Sequence, residues 1–106
     1  MALVITDTNF DELVLNSDKP VLIDFSVDWS VPCKMVGRLV EEISPDYDGR
    51  AIVGKVDVDQ NPAISDQYEI LNTPALLYFK NGAIVDNQIG SVPKSVLAGK
   101  LVKPLA

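Results

Sequence analysis

The feature that most constrains this chain is the apolar run Val21–Phe25, followed after a short gap by a helical pattern. The run is almost entirely β-branched, aliphatic or aromatic, which is typical of a strand buried on both faces of a sheet. From Pro32 to about Tyr47, apolar residues recur every three or four positions, which predicts a helix with one apolar face. These apolar positions are Met35, Val36, Leu39, Val40 and Ile43. A buried strand that leads into such a helix indicates an α/β fold.

The rest of the chain continues the alternation of strand and helix signals. Capping residues and carboxylates predict a helix beginning near Asp7, and Asn61-Pro62 predicts a short one. Asn81-Gly82 is a hairpin turn signal, and a last helix follows the break at Gly90–Pro93, with Val96, Leu97, Leu101 and Val102 on its apolar face. The other predicted strands are Leu3–Ile5, Arg50–Val58, Pro74–Phe79 and Ala83–Val85. The predicted architecture is a central mixed β-sheet of about five strands, flanked by about four helices.

Length and composition predict one globular domain that spans residues 1–106. Hydrophobic residues make up 47% of the 106 positions and charged residues 23%, the usual balance of a folded domain. Apolar runs such as Ala75–Phe79 are far shorter than a membrane span, so we expect no membrane partner. The first residues lack a basic stretch followed by a long apolar one, so we expect no signal peptide and a cytoplasmic location.

Charge and residue types exclude several classes of function. The net charge of −6 argues against a nucleic-acid partner, because phosphate contacts need clustered Lys and Arg. The chain has no histidine and only one cysteine, Cys33, so we expect neither a metal site nor an internal disulfide. We expect the protein to need no cofactor. We expect it to be a monomer, although a disulfide between two copies of Cys33 could form a dimer.

Five motifs, in order along the chain, carry a resemblance to a known family. They are Asp28-Trp29-x-x-Pro32-Cys33-Lys34-Met35 after the buried strand, Lys55–Pro62, Thr73-Pro74, Phe79–Gly82 and Gly90. Together they resemble the thioredoxin family over essentially the whole chain. The resemblance implies the thioredoxin fold and disulfide reduction in substrate proteins by dithiol–disulfide exchange. It also implies disulfide-containing proteins and, for an active parent, a thioredoxin reductase as partners.

The resemblance places Ser30 where the family has its attacking cysteine, and Cys33 where it has the resolving one. Exchange begins when a thiolate attacks a disulfide sulfur, and a serine hydroxyl needs an adjacent base to attack anything. Since no histidine can activate Ser30, we expect a redox-inactive or trap form that does not turn over. Cys33, shielded beneath the loop, is expected to be inert or to form only slow mixed disulfides. Taken without the resemblance, Cys33 is better interpreted as a small core residue.

Asp24 is the most informative carboxylate, because it lies inside an apolar strand where an acid needs a partner or a task. The resemblance assigns it to the buried proton acceptor and donor behind Cys33, with Lys55 as its partner. Burial would raise the pKa of such a carboxyl. The structural alternative is an Asp24–Lys55 pair that serves packing alone.

The resemblance also implies a groove that binds an extended segment of the substrate protein. In that reading Trp29 covers one side of the loop, and Thr73 presents its backbone beside a cis Pro74. Without the resemblance, Trp29 would be a core or surface residue that contacts no substrate, and Pro74 would be an ordinary trans proline. Asp57, Asp59 and Asp66 are most simply surface charge. The implied substrate-binding residues are Trp29, Val31, Pro32, Thr73, Pro74, Gly90 and Val92.

Four residues near the loop depart from the family pattern: Ser30, Val31, Ser26 and Arg38. Ser26 replaces a usual second tryptophan, which predicts an opening beside the site, and Arg38 replaces a helix-kinking proline. Two origins stay open, an engineered Cys→Ser exchange in an active parent and a relative that lost its nucleophile. Two other functions also stay open. One is a redox-independent protein-binding module, and the other is an enzyme that activates glutathione through Ser30.

Overall fold

The computed structural model describes residues 2–105, and side chains only as far as Leu101. Val102, predicted on the apolar face of the last helix, therefore has its side chain outside the described part. The strands are β1 (Leu3–Val4), β2 (Val21–Ser26), β3 (Ile52–Asp57), β4 (Ala75–Lys80) and β5 (Ala83–Ile89). The helices are α1 (Val31–Ile43), α2 (Pro62–Gln67) and α3 (Lys94–Leu105), with a π-helical turn at Asp11–Leu15 and a 3₁₀ turn at Ser44–Tyr47.

The five strands form one mixed sheet in the order β1-β3-β2-β4-β5, which confirms the predicted fold class. Strand β3 runs parallel to β1 and β2, whereas β4 runs antiparallel to β2 and β5. The central position of β2 explains its apolar sequence, because residues 21–25 are all buried. Within residues 2–105, no helix is both long and apolar enough to cross a membrane.

Side chains of β2 alternate between two cores, one on each face of the sheet. Leu22 packs with Val36 and Val40 of α1, in the core that α3 completes with Leu97 and Leu101. Ile23 and Phe25 belong to the opposite core, with Phe10, Ile64 and Phe79. Asp24 therefore shares the face of Leu22 and points towards α1, on the side where the chain leaves β2 and enters that helix.

The apolar face of α1 is narrower than its sequence pattern predicts. Met35 is 56% exposed, so its assignment to the buried face is wrong, and Leu39 is only half-buried. The buried positions are Cys33, Val36, Gly37, Val40 and Ile43. The α-helix also ends at Ile43 rather than near Tyr47, because Pro45 has no N–H to continue the α-helical hydrogen bonds.

The strands begin and end within two residues of their predicted bounds, except β5, and the first helix also starts differently. Strand β5 continues to Ile89 rather than ending at Val85, because its residues up to Ile89 pair with β4. The polar residues Asp86–Gln88 gave no strand pattern in the sequence. At the first helix, Asp7–Asn9 form a turn before the π-helical residues. The side chains of Thr6 and Asn9 each accept a hydrogen bond from the other's backbone N–H, at 3.3 and 2.8 Å. This reciprocal pair resembles a capping box but begins at Thr6, one residue before the predicted start at Asp7.

Candidate functional site

Ser30 is the N-cap of α1. Its backbone is extended, with φ −95° and ψ 127°, and its hydroxyl oxygen accepts a hydrogen bond from the Cys33 N–H at 3.4 Å. Its carbonyl accepts a second bond from the Lys34 N–H at 3.0 Å. Pro32 follows in the first turn, where its missing N–H costs no helical bond. Serine is among the preferred N-cap residues, so Ser30 has a structural task that needs no acid–base chemistry.

Cys33 lies one helical turn into α1, on the side that packs against the sheet. It carries a free thiol and is only 3% exposed. Gly37 and Glu41 follow it at intervals of four residues, so the three form one stripe of the helix. This burial agrees with the expectation of a shielded thiol beneath the loop.

Asp24 is fully buried, and within the described residues neither of its carboxylate oxygens has a hydrogen-bond partner. Burial raises the pKa of this carboxyl from 3.8 to about 7, against the opposing effect of the positive charge on Lys55. Near neutral pH, Asp24 can therefore both accept and release a proton. A buried carboxyl in this state is a functional-site candidate on physical grounds.

Lys55 lies close to Asp24 but forms its ion pair with another residue. The two residues are register partners on β3 and β2, yet the Lys55 Nζ lies 3.3 Å from the Glu41 Oε1. A Cβ added to Gly37 would lie 3.6 Å from Lys55 Nζ and 3.9 Å from Asp24 Oδ2. The structure therefore gives Lys55 two neighbours with different roles. The ammonium acts on Asp24 through its charge, while its direct contact is Glu41.

Glu41 is the residue that the sequence reasoning missed. Burial opposes its ionisation, but hydrogen bonds from the Ala2 N–H (3.2 Å) and from Lys55 outweigh this and lower its pKa. The four-residue spacing from Cys33 through Gly37 was the signal that could have found it. That spacing places Glu41 on the helix stripe that faces the sheet.

Trp29 is 77% exposed on the loop before α1. Its indole N–H donates a hydrogen bond to the Asp59 Oδ2 at 3.3 Å. Asp59 is exposed, as expected of surface charge, but it also holds the indole ring. Asp57 has a local task as well, because its side chain accepts the N–H of Asp59 at 3.0 Å.

The residues predicted to form the groove lie mainly at one end of the sheet, where β2 ends and β4 begins. The Thr73–Pro74 peptide bond is cis, and the Gly90 N–H donates to the Pro74 carbonyl at 2.9 Å. Ala75 is the register partner of both Phe25 and Ile89, so Pro74 and Gly90 flank the point where the chain leaves β2. Val31 is 66% exposed and Pro32 is exposed. Val92 is half-buried and packs against the core between α1 and α3, so only part of its surface is free.

A cleft of about 540 Å³ lies beside Cys33. Ser26 is part of its lining, so the opening that this serine predicted is present. The cleft is bordered by five charged side chains, namely Asp28, Lys34, Arg38, Glu41 and Lys55. It is therefore a polar recess and not an apolar pocket.

Comparison with known proteins agrees with this geometry. The family model described as thioredoxin matches residues 1–103. A thioredoxin of Chlorobaculum thiosulfatiphilum is 45% identical over 96 residues, which cover 91% of this chain and 89% of that protein. Thioredoxin 1 of a Nostoc species is 46% identical over 101 residues, which cover 95% and 94% of the two chains. Because the model match and both identities extend over nearly the full length, this chain belongs to the thioredoxin family.

Proposed function

We propose that residues 1–106 act as one thioredoxin-type protein-disulfide oxidoreductase domain, in a form that binds disulfide-containing proteins without turning them over. The observation that carries the proposal is the hydrogen bond between the Ser30 oxygen and the Cys33 N–H. It puts a helix-capping hydroxyl at the position from which a thiolate would attack. The only thiol in the chain, Cys33, is buried one turn further along the helix.

Disulfide exchange requires two thiols with separate tasks. The first attacks a substrate sulfur and forms a mixed disulfide, and the second attacks that intermediate and releases the reduced substrate. In this proposal Cys33 retains the second task and Asp24 takes its proton, which the pKa of about 7 for Asp24 supports. Lys55 stabilises the ionised form of Asp24 through its positive charge. The first task has no residue to perform it.

The remaining predicted residues would hold the substrate protein. Trp29 and Val31 offer exposed apolar surface, and Pro32 continues it at the start of α1. The Thr73 backbone, next to the cis Pro74 and braced by Gly90, would present hydrogen-bonding groups to an extended segment. Val92 would close one end of this surface. A thioredoxin reductase as partner of an active parent, and the cytoplasmic location, stay predictions from the sequence.

We expect the chain as it stands to give no acceleration when insulin is reduced by dithiothreitol. The Cys33→Ser variant is the matched control, because it removes the only thiol while the rest of the site stays in place. Equal turbidity curves for the two proteins would support the redox-inactive form. A faster reaction with the unmodified chain would overturn it, because Cys33 alone would then be catalysing exchange.

A second candidate function is the redox-independent binding module, favoured by the exposure of Trp29 (77%), Val31 (66%) and Met35 (56%). We expect such a module to capture the same proteins from a lysate with and without reductant. Val31→Asp should abolish the capture, because it places a charge in the apolar contact. Val85→Asp, at an exposed position on β5, is the matched control and should not affect it. Capture that requires oxidised partner proteins would instead favour the first function, a domain of the oxidoreductase type.

A further inference from the structure

The cleft beside Cys33 has an uneven charge distribution for so acidic a chain. Three cations and two acids border it, whereas the whole chain carries a net charge of −6. Lys55 is neutralised by its ion pair with Glu41. Lys34 and Arg38 form no ion pair within the described residues, and they lie four positions apart on one exposed side of α1. Among residues 2–101, whose side chains the structure describes, the cleft border thus has two cations without an ion pair and one such acid, Asp28.

A thiol lies in the wall of this cleft, and a buried carboxyl group lies behind that wall. Cys33 and Gly37 are part of the lining, and Asp24 lies directly behind Gly37. The Asp24 side chain is fully buried, and no described residue forms a hydrogen bond with its carboxylate oxygens. A desolvated carboxylate without a donor is costly unless a proton or a ligand reaches it. The recess thus has a thiol in its wall, a cationic border and, behind Gly37, a carboxyl group without a hydrogen-bond partner among the described residues.

We propose that this cleft is a site at which small disulfides bearing carboxylate groups react with Cys33, slowly because the thiol is only 3% exposed. Lys34 and Arg38 attract the carboxylates, and the recess at Ser26 gives the ligand a route to the thiol from the side. The inference shares with the proposed function the role of Asp24 as proton acceptor for Cys33, but it involves neither Ser30 nor the substrate-protein groove. Its test is therefore independent of whether a Ser30→Cys variant is an active reductase.

The reaction is a single exchange that stops after one turnover. The Cys33 sulfur forms a bond to one sulfur of the small disulfide, whose own S–S bond breaks. The departing half leaves as a thiolate and takes up the proton that Cys33 loses, after Asp24 has held it. One thiol of the small molecule is released for each chain modified. Because no second cysteine is present, the mixed disulfide persists until an external thiol removes it.

Three disulfide probes of different charge test the site: 3,3′-dithiodipropionate (anionic), 2-hydroxyethyl disulfide (neutral) and cystamine (cationic). Intact-mass spectrometry measures the rate at which each adds its half to Cys33. The rate with the folded chain is divided by the rate with the urea-unfolded chain, which removes the intrinsic reactivity of each probe. We expect the normalised rate of the anionic probe to exceed that of the cationic one by about tenfold at low salt. The preference should shrink as salt is added.

Two variants and one control distinguish the effect of the cleft's charge from the effect of access to the Cys33 thiol. Lys34→Gln combined with Arg38→Gln should remove the preference for the anionic probe. Lys19→Gln, at an exposed position before β2 and outside the cleft lining, should leave the preference unchanged. Ser26→Trp should slow all three probes, because the larger side chain fills the recess. Equal normalised rates for the three probes, or modification of the unfolded chain alone, would overturn the proposal.

Discussion

Replacing Ser30 by cysteine should turn this chain into an active protein-disulfide reductase. A cysteine at the N-cap position meets the positive end of the α1 dipole and the free N–H groups of its first turn, which favour a thiolate. The Cys33 N–H, which now bonds to the Ser30 oxygen at 3.4 Å, would stabilise that thiolate. In insulin reduction with dithiothreitol, we expect the rate to rise by on the order of 100-fold or more over the unmodified chain.

The control for this prediction is the double variant Ser30→Cys with Cys33→Ser. It has the attacking thiol but cannot resolve the mixed disulfide, so it should trap substrate in covalent complexes instead of showing turnover. Ser30→Thr is a second control, because it keeps a capping hydroxyl and adds no thiol. A folded Ser30→Cys protein without activity would contradict the prediction. The departures at Ser26, Val31 and Arg38 would then have altered the site, and the binding module would be the better function.

Replacing Asp24 by asparagine should stabilise the protein by about 2–4 kcal/mol at pH 8 and have little effect at pH 4. The pKa of Asp24 is raised from 3.8 to about 7 on folding. Between those two values the folded chain binds one proton more than the unfolded chain. The contribution of Asp24 to the free energy of unfolding is therefore most favourable below about pH 4, falls as the pH rises to about 7, and is level above that.

Urea unfolding at several pH values measures this effect. The difference in free energy of unfolding between the variant and the unmodified chain isolates Asp24, because the other carboxylates contribute equally to both. Asp66→Asn is the matched control, since Asp66 is exposed on α2 and should show no pH-dependent difference. A constant difference from pH 4 to pH 8 would mean that Asp24 does not titrate in this range in the folded state. Asp24 would then be unsuited to exchange a proton with Cys33.

Local patterns predicted most of the strands and helices. The run Val21–Phe25 is buried on both faces, because it forms the centre of the sheet. The hairpin at Asn81-Gly82 is likewise found. The errors occurred where sequence pattern and environment diverge. Met35 has an apolar side chain but lies outside the contact with the sheet, and the polar residues of β5 still form a strand by pairing with β4.

By itself the sequence determined the lone thiol, the serine before it and an acid within an apolar strand. These features depend only on residue identity and short-range spacing. Only the tertiary structure decided that Lys55 pairs with Glu41, that Trp29 bonds to Asp59 and that a charged cleft opens beside Cys33. Each of these contacts joins residues on different elements. Their geometry depends on how α1 and the loops pack against the sheet, which no local pattern encodes.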